Sequence, residues 1–525
     1  MRLRRGSLAA VLGSLLCAVL VLSGCTSFAS TITAAQRSPA AASAAPVSTP
    51  PAPIRWTDCT QQIKPLVTGQ PGADRPLRYS CGRTEVPISY RTSGSPTMPM
   101  FLVKVVMAGQ TGRIGSLLVN PGGPGASGAD AAISLALTMP TDVLQKFDLI
   151  GFDPRGVGLS TPVECLSDDL KDQLAAAEPR PLSDAQQKDA FALTQKVADA
   201  CAKKYGSALG TFNTADTARD VDRLRQSLGD QKLSYLGYSY GTTLGSVYAE
   251  LFPKNIRAMV LDGDVDPDSS DQAEAEAAAA GLEKSFDAFA ANCTALPSGC
   301  PVGPDPRGFV QALLTQAQAS PIPSAKQGET RKATAGIVLT AVQAAMYDTD
   351  SWPQLAQGLA AAQKGDSQGL FSLADSYNGR LDNGTYTNLV DANLAINCAD
   401  TDQRYDQAQV RSTIAAWNTT YPLFGASTAL GLYTCTVWKA NRTPLPKRAK
   451  VASAPILVVG NTGDPVTPYP GAQDMARDLG STALLTWQGQ GHTSYPKTPC
   501  VTAAVDSYLV NLTVPPAGLT CPPTG

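Results

Sequence analysis
The chain has 525 residues, of which 43% are hydrophobic and 16% charged, with a formal net charge of −2. That length suits one large domain carrying an insertion, or a few ordinary domains. The near-neutral charge gives no support to nucleic-acid binding, which shows a basic excess. A single histidine, His492, excludes a His-rich metal centre, and no CxxC pattern suggests another metal site.

In chain order, Arg2, Arg4 and Arg5 precede the apolar run Leu8–Leu22. At 15 residues this run is short for a membrane span and has the form of a signal peptide over residues 1–24. Leu22-Ser23-Gly24-Cys25 then reads as a bacterial lipobox. Cleavage before Cys25 and lipid on its thiol would leave an exported protein, anchored by lipid alone at the outer face of the bacterial membrane or envelope. Ordinary signal cleavage nearby, with Cys25 free, is the alternative. Residues 25–53 are rich in Ala, Ser, Thr and Pro and bury too little apolar surface to order themselves, so a flexible linker is expected.

Ten cysteines follow: Cys59, Cys81, Cys165, Cys201, Cys293, Cys300, Cys398, Cys435, Cys500 and Cys521. An even count in an exported chain suggests disulfides. Sequence cannot fix the connectivity. Pairing each cysteine with its chain neighbour is preferred, because every loop so closed is modest. Buried free thiols are the alternative.

From residue 101 strand-like and helix-like patterns alternate. Strands are expected over 101–109, 115–120, 147–153, 233–239, 256–263 and 454–461, with a further strand-like run at 483–487. Helices are expected over 214–229, where Val221, Leu224 and Leu228 share a face, and over 243–253. This alternation predicts an α/β fold whose mainly parallel sheet is covered on both faces. Between 267 and 445 the strands stop. Long helical patterns, at 271–293 and 388–417, predict a large, mostly helical cap inserted between two strands. The core is then divided into 54–266 and 446–525.

Three segments carry chemistry. Gly237-Tyr238-Ser239-Tyr240-Gly241 stands between a predicted strand and a predicted helix, the setting of a nucleophile elbow. Gly-x-Ser-x-Gly alone is weak, and a glycine-rich turn with a structural serine is the competing reading. The segment Leu117–Gly128, LLVNPGGPGASG, follows a strand and bares its backbone. It lacks the lysine of a phosphate loop. As an oxyanion loop it offers the Gly123 N–H opposite that of Tyr240. Asp464 follows the strand 454–461 and lies 28 residues before His492. The order Ser239, Asp464, His492 is that of α/β hydrolases. A histidine that accepts and returns a proton near neutral pH is hard to replace, which gives the single one a role.

With these residues in hand, the chain resembles the secreted tripeptidyl-aminopeptidase branch of the proline-iminopeptidase-like α/β hydrolases. The resemblance runs from Trp56 to Cys521 and rests on IRWTDC, YSCGRTEVPISY, LLVNPGGPGASG, GFDPRGVGLS, GYSYGT, GDPVTP and GQGHTS. Ser89 stands where the family usually has Asp, far along the chain from the triad residues. The resemblance implies an α/β-hydrolase core, a helical cap, and release of short peptides, tripeptides in particular, from free N-termini. It implies an acyl-enzyme on Ser239 with no cofactor and no metal. Peptides or proteins are the expected partners, nucleic acid is not, and a monomer is favoured. An exo-acting aminopeptidase can select free N-termini with a buried carboxylate that meets the substrate's ammonium. Asp400, in a stretch similar to the family's C-x-D segment, is the candidate, with helix capping as its competing role; Asp348 and Asp350 come next. A carboxylesterase or lipase on the same triad and a non-catalytic binding lipoprotein are the rival functions.

Overall fold
The computed structural model describes residues 51–523 apart from 267, 447–449 and 481. The signal peptide, Cys25 and nearly all of the linker lie outside the described residues. Among the described residues no helix is long and apolar enough to cross a membrane.

Ten strands form one sheet: β1 (Arg55–Asp58), β2 (Leu77–Pro87), β3 (Thr97–Met107), β4 (Gly115–Asn120), β5 (Phe147–Phe152), β6 (Leu233–Tyr238), β7 (Ile256–Asp262), β8 (Ile456–Gly463), β9 (Thr482–Gln490) and β10 (Thr520–Cys521). Their order is β1-β2-β3-β5-β4-β6-β7-β8-β9-β10. The pairs from β5 to β10 are parallel; β1, β2 and β3 run antiparallel to their neighbours. The fold is thus α/β, with a mainly parallel sheet.

The central strands are apolar almost throughout because helices cover both faces. Side chains alternate between the faces. Leu118, Tyr235, Leu261 and Val458 enter one core layer with Val221 and Leu244. Leu117, Val119, Leu236, Val260 and Val459 enter the other with Ile133 and Val505. β1 and β2 were not legible as strands. β2 interleaves its buried residues with Ser80 and the exposed Arg83 and Glu85, which blurs the apolar signal.

Between β7 and β8 the regular structure of the described chain is helical apart from isolated bridges. It builds its own core from Leu282, Phe286, Val338, Leu355 and Phe371, among others. The expected continuous helix over 388–417 is instead two, Leu389–Asp400 and Gln407–Thr420. The break has a local cause: Asp406 caps the second helix by a reciprocal box with Gln409. The cap also recruits helices Asp168–Ala176 and Asp184–Tyr205 from the β5–β6 connection, which the apolar pattern does not mark. Phe191 from the second of these meets Tyr433 with ring centroids 4.6 Å apart.

The ten cysteines form five disulfides, each with its chain neighbour: 59–81, 165–201, 293–300, 398–435 and 500–521. Such pairing fits an oxidising compartment. Alkylation without reductant, read by mass spectrometry, should label none of them. Reduction should lower the melting temperature, since a disulfide typically contributes about 2–4 kcal/mol. Labelled cysteines in the untreated protein would contradict this.

Candidate active site
The chain leaves β4 for β5 on one side and returns to β6 on the other, so the sheet reverses direction at β4. Crevices for ligands form at the carboxyl ends of strands at such a reversal. The residues singled out from the sequence gather at this edge. Ser239 follows β6, Asp464 follows β8, His492 follows β9, and the loop 121–127 follows β4.

Ser239 sits at φ 55° and ψ −127°, a strained backbone for a residue with a side chain, and helix Tyr240–Leu251 starts directly after it. The turn is tight enough to require glycine on both sides. A Cβ on Gly237 would stand 2.4 Å from the Gly241 carbonyl oxygen, and one on Gly241 2.7 Å from that of Asn120. The Ser239 N–H donates to the Asp262 carbonyl at 3.0 Å.

The glycine-rich loop presses onto this turn. Gly122 donates to Asn120 Oδ1 at 3.0 Å. A Cβ on Gly122 would lie 2.8 Å from Ser239 Cβ and 3.1 Å from Tyr240 N. Gly123, next in the loop, is exposed. The loop is held from behind by Asp153, which accepts from Ser127 Oγ at 2.7 Å and the Leu159 N–H at 2.8 Å. Arg155, fully buried, forks onto Asp220 with both contacts at 2.7 Å and donates to the carbonyls of Pro87, Ile88 and Thr211. The DPRGVGLS motif is therefore a polar knot supporting the loop. It is fully partnered, as a buried charge must be.

His492 Nδ1 lies 2.9 Å from Asp464 Oδ2 and 3.0 Å from Oδ1, with Thr467 Oγ1 at 3.3 Å. Asp464 Oδ1 also accepts the N–H groups of Val466 at 3.0 Å and Thr467 at 2.8 Å. Asp464 is 4% exposed, so these bonds form out of water's reach. His492 Nε2 is buried with no hydrogen-bond partner among the described residues. Asp262, fully buried, accepts the N–H of Ser494 at 3.0 Å and of Tyr495 at 2.8 Å and so fixes the turn after the histidine. Burial pushes the Asp262 carboxyl up to about 6 against those bonds. Asn461 Nδ2 donates to the Gly491 carbonyl at 3.2 Å.

Asp400 closes the cap helix Leu389–Asp400. Its oxygens accept the Thr214 N–H at 2.9 Å and the Thr214 hydroxyl at 2.6 Å, and that hydroxyl also meets the Tyr240 hydroxyl. It thereby satisfies an orphan N–H in the first turn of helix Thr214–Ser227. Asp348 pairs with Lys497 at 3.0 Å, and Asp350 is exposed.

Burial pushes the Asp400 carboxyl up to about 7, against the opposing pull of the Thr214 bonds. A carboxyl raised on folding holds its proton longer in the native state, so its contribution to stability falls as pH rises from about 4 to about 7. Asn cannot ionise. Asp400→Asn should therefore gain stability relative to the natural protein across that window, read by urea denaturation at each end. A gap independent of pH would mean that Asp400 does not titrate there.

A parallel sheet with a serine elbow, a buried Asp–His pair and a glycine-rich loop at one carboxyl edge defines the α/β-hydrolase class. A profile described as TAP-like protein matches residues 421–521, which include Asp464 and His492. Serine protease Hip1 of Mycobacterium tuberculosis is 35% identical over 489 residues, covering 89% of this chain and 91% of its own. Carboxylesterase B of the same species is 35% identical over 462 residues, covering 84% and 86%. Tripeptidyl aminopeptidase of Streptomyces lividans is 29% identical over 499 residues, covering 90% and 87%. The chain belongs to the TAP-like family of α/β hydrolases and is a hydrolase.

Proposed function
We propose that the protein is an exported, lipid-anchored serine exopeptidase that releases short peptides, tripeptides in particular, from free N-termini. The observation that carries the reading is the His492–Asp464 pair at the same strand edge as the strained Ser239, built on the only histidine in the sequence. Ser239 Oγ attacks the peptide carbonyl and His492 Nε2 takes its proton. Asp464 holds Nδ1–H and stabilises the imidazolium. The Tyr240 and Gly123 N–H groups receive the oxyanion; one such donor is typically worth about 3 kcal/mol of barrier. His492 then protonates the leaving amine, and water releases the acyl group by the same route in reverse.

The names of Hip1 and of the Streptomyces relative support peptide substrates. The name of carboxylesterase B favours esters as the second reading. Asp400 is the acid proposed to meet the substrate ammonium, because Thr214 links it to Tyr240, the neighbour of Ser239. A charge-assisted bond there would reward a free N-terminus and leave a blocked one unmatched.

Purified protein on aminoacyl, dipeptidyl and tripeptidyl reporters, each free and acetylated, and on small esters tests the reading. Fastest turnover of the free tripeptidyl reporter is expected. Ester turnover without amide turnover would favour the esterase reading. Asp400→Asn should weaken cleavage of free peptides far more than of a small ester; equal loss would leave it only its capping role.

A further inference from the structure
The cap touches the histidine directly, through the residue that follows helix Ala335–Met346. The Tyr347 carbonyl accepts the His492 N–H at 2.8 Å. The Tyr347 ring meets the imidazole edge to face, with centroids 5.3 Å apart and planes at 86°. The phenol is held from the cap side: its oxygen lies 3.3 Å from that of Tyr377, which accepts from Gln343 Nε2 at 2.9 Å. Asp348 adds the ion pair to Lys497, so the contact brackets the histidine loop on both sides.

The approach is built into the core as well. Gly491 has φ +114°, and a Cβ there would stand 3.2 Å from the Tyr347 carbonyl oxygen. Only glycine takes that backbone and that closeness without strain.

Asp464 fixes one nitrogen of the imidazole, but a ring held at one atom can still swing about that bond. The Tyr347 ring packs against the imidazole, and its carbonyl holds the backbone from which the side chain hangs. We propose that Tyr347 is a positioning residue for His492, so that the cap completes the catalytic base as well as covering the site. The inference rests on the serine-hydrolase reading. It differs from a role as a wall of the substrate pocket, which would alter binding and leave the base untouched.

The test compares the natural protein with Tyr347→Phe and Tyr347→Leu. Three quantities are read: the rate of fluorophosphonate labelling, steady-state kinetics on a small ester and on a tripeptidyl reporter, and the melting temperature. Misplacing a catalytic group by about 1 Å can cost about 100-fold. Tyr347→Leu should therefore lose roughly 10- to 100-fold in labelling rate and in kcat on both substrates. KM for the ester should not change. Tyr347→Phe, which keeps ring and carbonyl, should stay near the natural protein. Natural labelling of Tyr347→Leu, or a rise confined to KM for the peptide, overturns the proposal. Should Tyr347→Leu melt early, Gly491→Ala pushes on the same carbonyl from the core side. It should reproduce the loss in kcat, and undisturbed kcat there also overturns the proposal. An unlabelled natural protein overturns the serine-hydrolase reading and this inference with it.

Discussion

Asp464→Asn should reduce turnover by about four orders of magnitude while leaving the fold in place. The hydrogen bonds dictate which way the amide would turn. Asp464 Oδ1 accepts two backbone N–H groups, from Val466 and Thr467, whereas Oδ2 accepts one longer one, from Thr493 at 3.4 Å, and is the oxygen nearer His492 Nδ1, at 2.9 Å against 3.0 Å. An asparagine has one acceptor oxygen. It would keep that oxygen on the two amides, since turning round would set its NH₂ against two donors. The NH₂ would then take the place nearest Nδ1, which favours the imidazole tautomer that accepts there. The proton moves to Nε2, the atom proposed to receive the Ser239 proton. Base function is lost through the tautomer, with all the surrounding packing intact. Kinetics on any reporter the natural protein hydrolyses, beside the melting temperature, read the effect. Turnover near the natural level would mean that Asp464 does not orient the base.

Gly122→Ala should cost about 100- to 1,000-fold in kcat, the range seen when an oxyanion donor is removed. The added methyl would lie 2.6 Å from the Tyr238 carbonyl oxygen and 2.8 Å from Ser239 Cβ. Backbone on one side and the nucleophile's own carbon on the other leave no soft neighbour to yield. The residue also holds φ +97°, which alanine adopts only with strain. Either the glycine-rich loop lifts off the elbow or the elbow shifts, and both would move the Gly123 N–H relative to that of Tyr240, the pair proposed to receive the oxyanion. Gly94 is the matched control: it too has positive φ, at 69°, but a Cβ there meets nothing within 4 Å. Gly94→Ala should be nearly silent. Equal activity of the two variants would remove the loop from the oxyanion role.

Sequence carried the centre of the molecule further than its rim. Strands β4 to β8 are continuous apolar runs, visible because both of their faces are buried. The glycines around Ser239 were legible as a turn because small residues are needed where backbones nearly touch. Helices Asp168–Ala176 and Asp184–Tyr205 were missed because each buries only a narrow stripe, with few apolar residues among many charged ones. Tyr347 left no signal at all. It stands 145 positions before His492, in a segment that reads as a helix end, and only the docking of the cap onto the β9 loop gives it meaning. Asp262 was equally silent: in sequence it lies near the end of an expected strand, and its carboxylate matters because it accepts the N–H groups of Ser494 and Tyr495 from the loop after β9.

The proposed pairing of a Ser239 nucleophile with the sole histidine as its base can be read chemically. Its most direct test is labelling of the purified protein with a fluorophosphonate, followed by intact mass and peptide mapping, beside Ser239→Ala and His492→Ala. One adduct, on Ser239, is expected in the natural protein. None is expected on either variant in the same time, with melting temperatures little changed. Labelling at another residue, or labelling of His492→Ala at the natural rate, would contradict the pairing, because no second histidine exists to stand in.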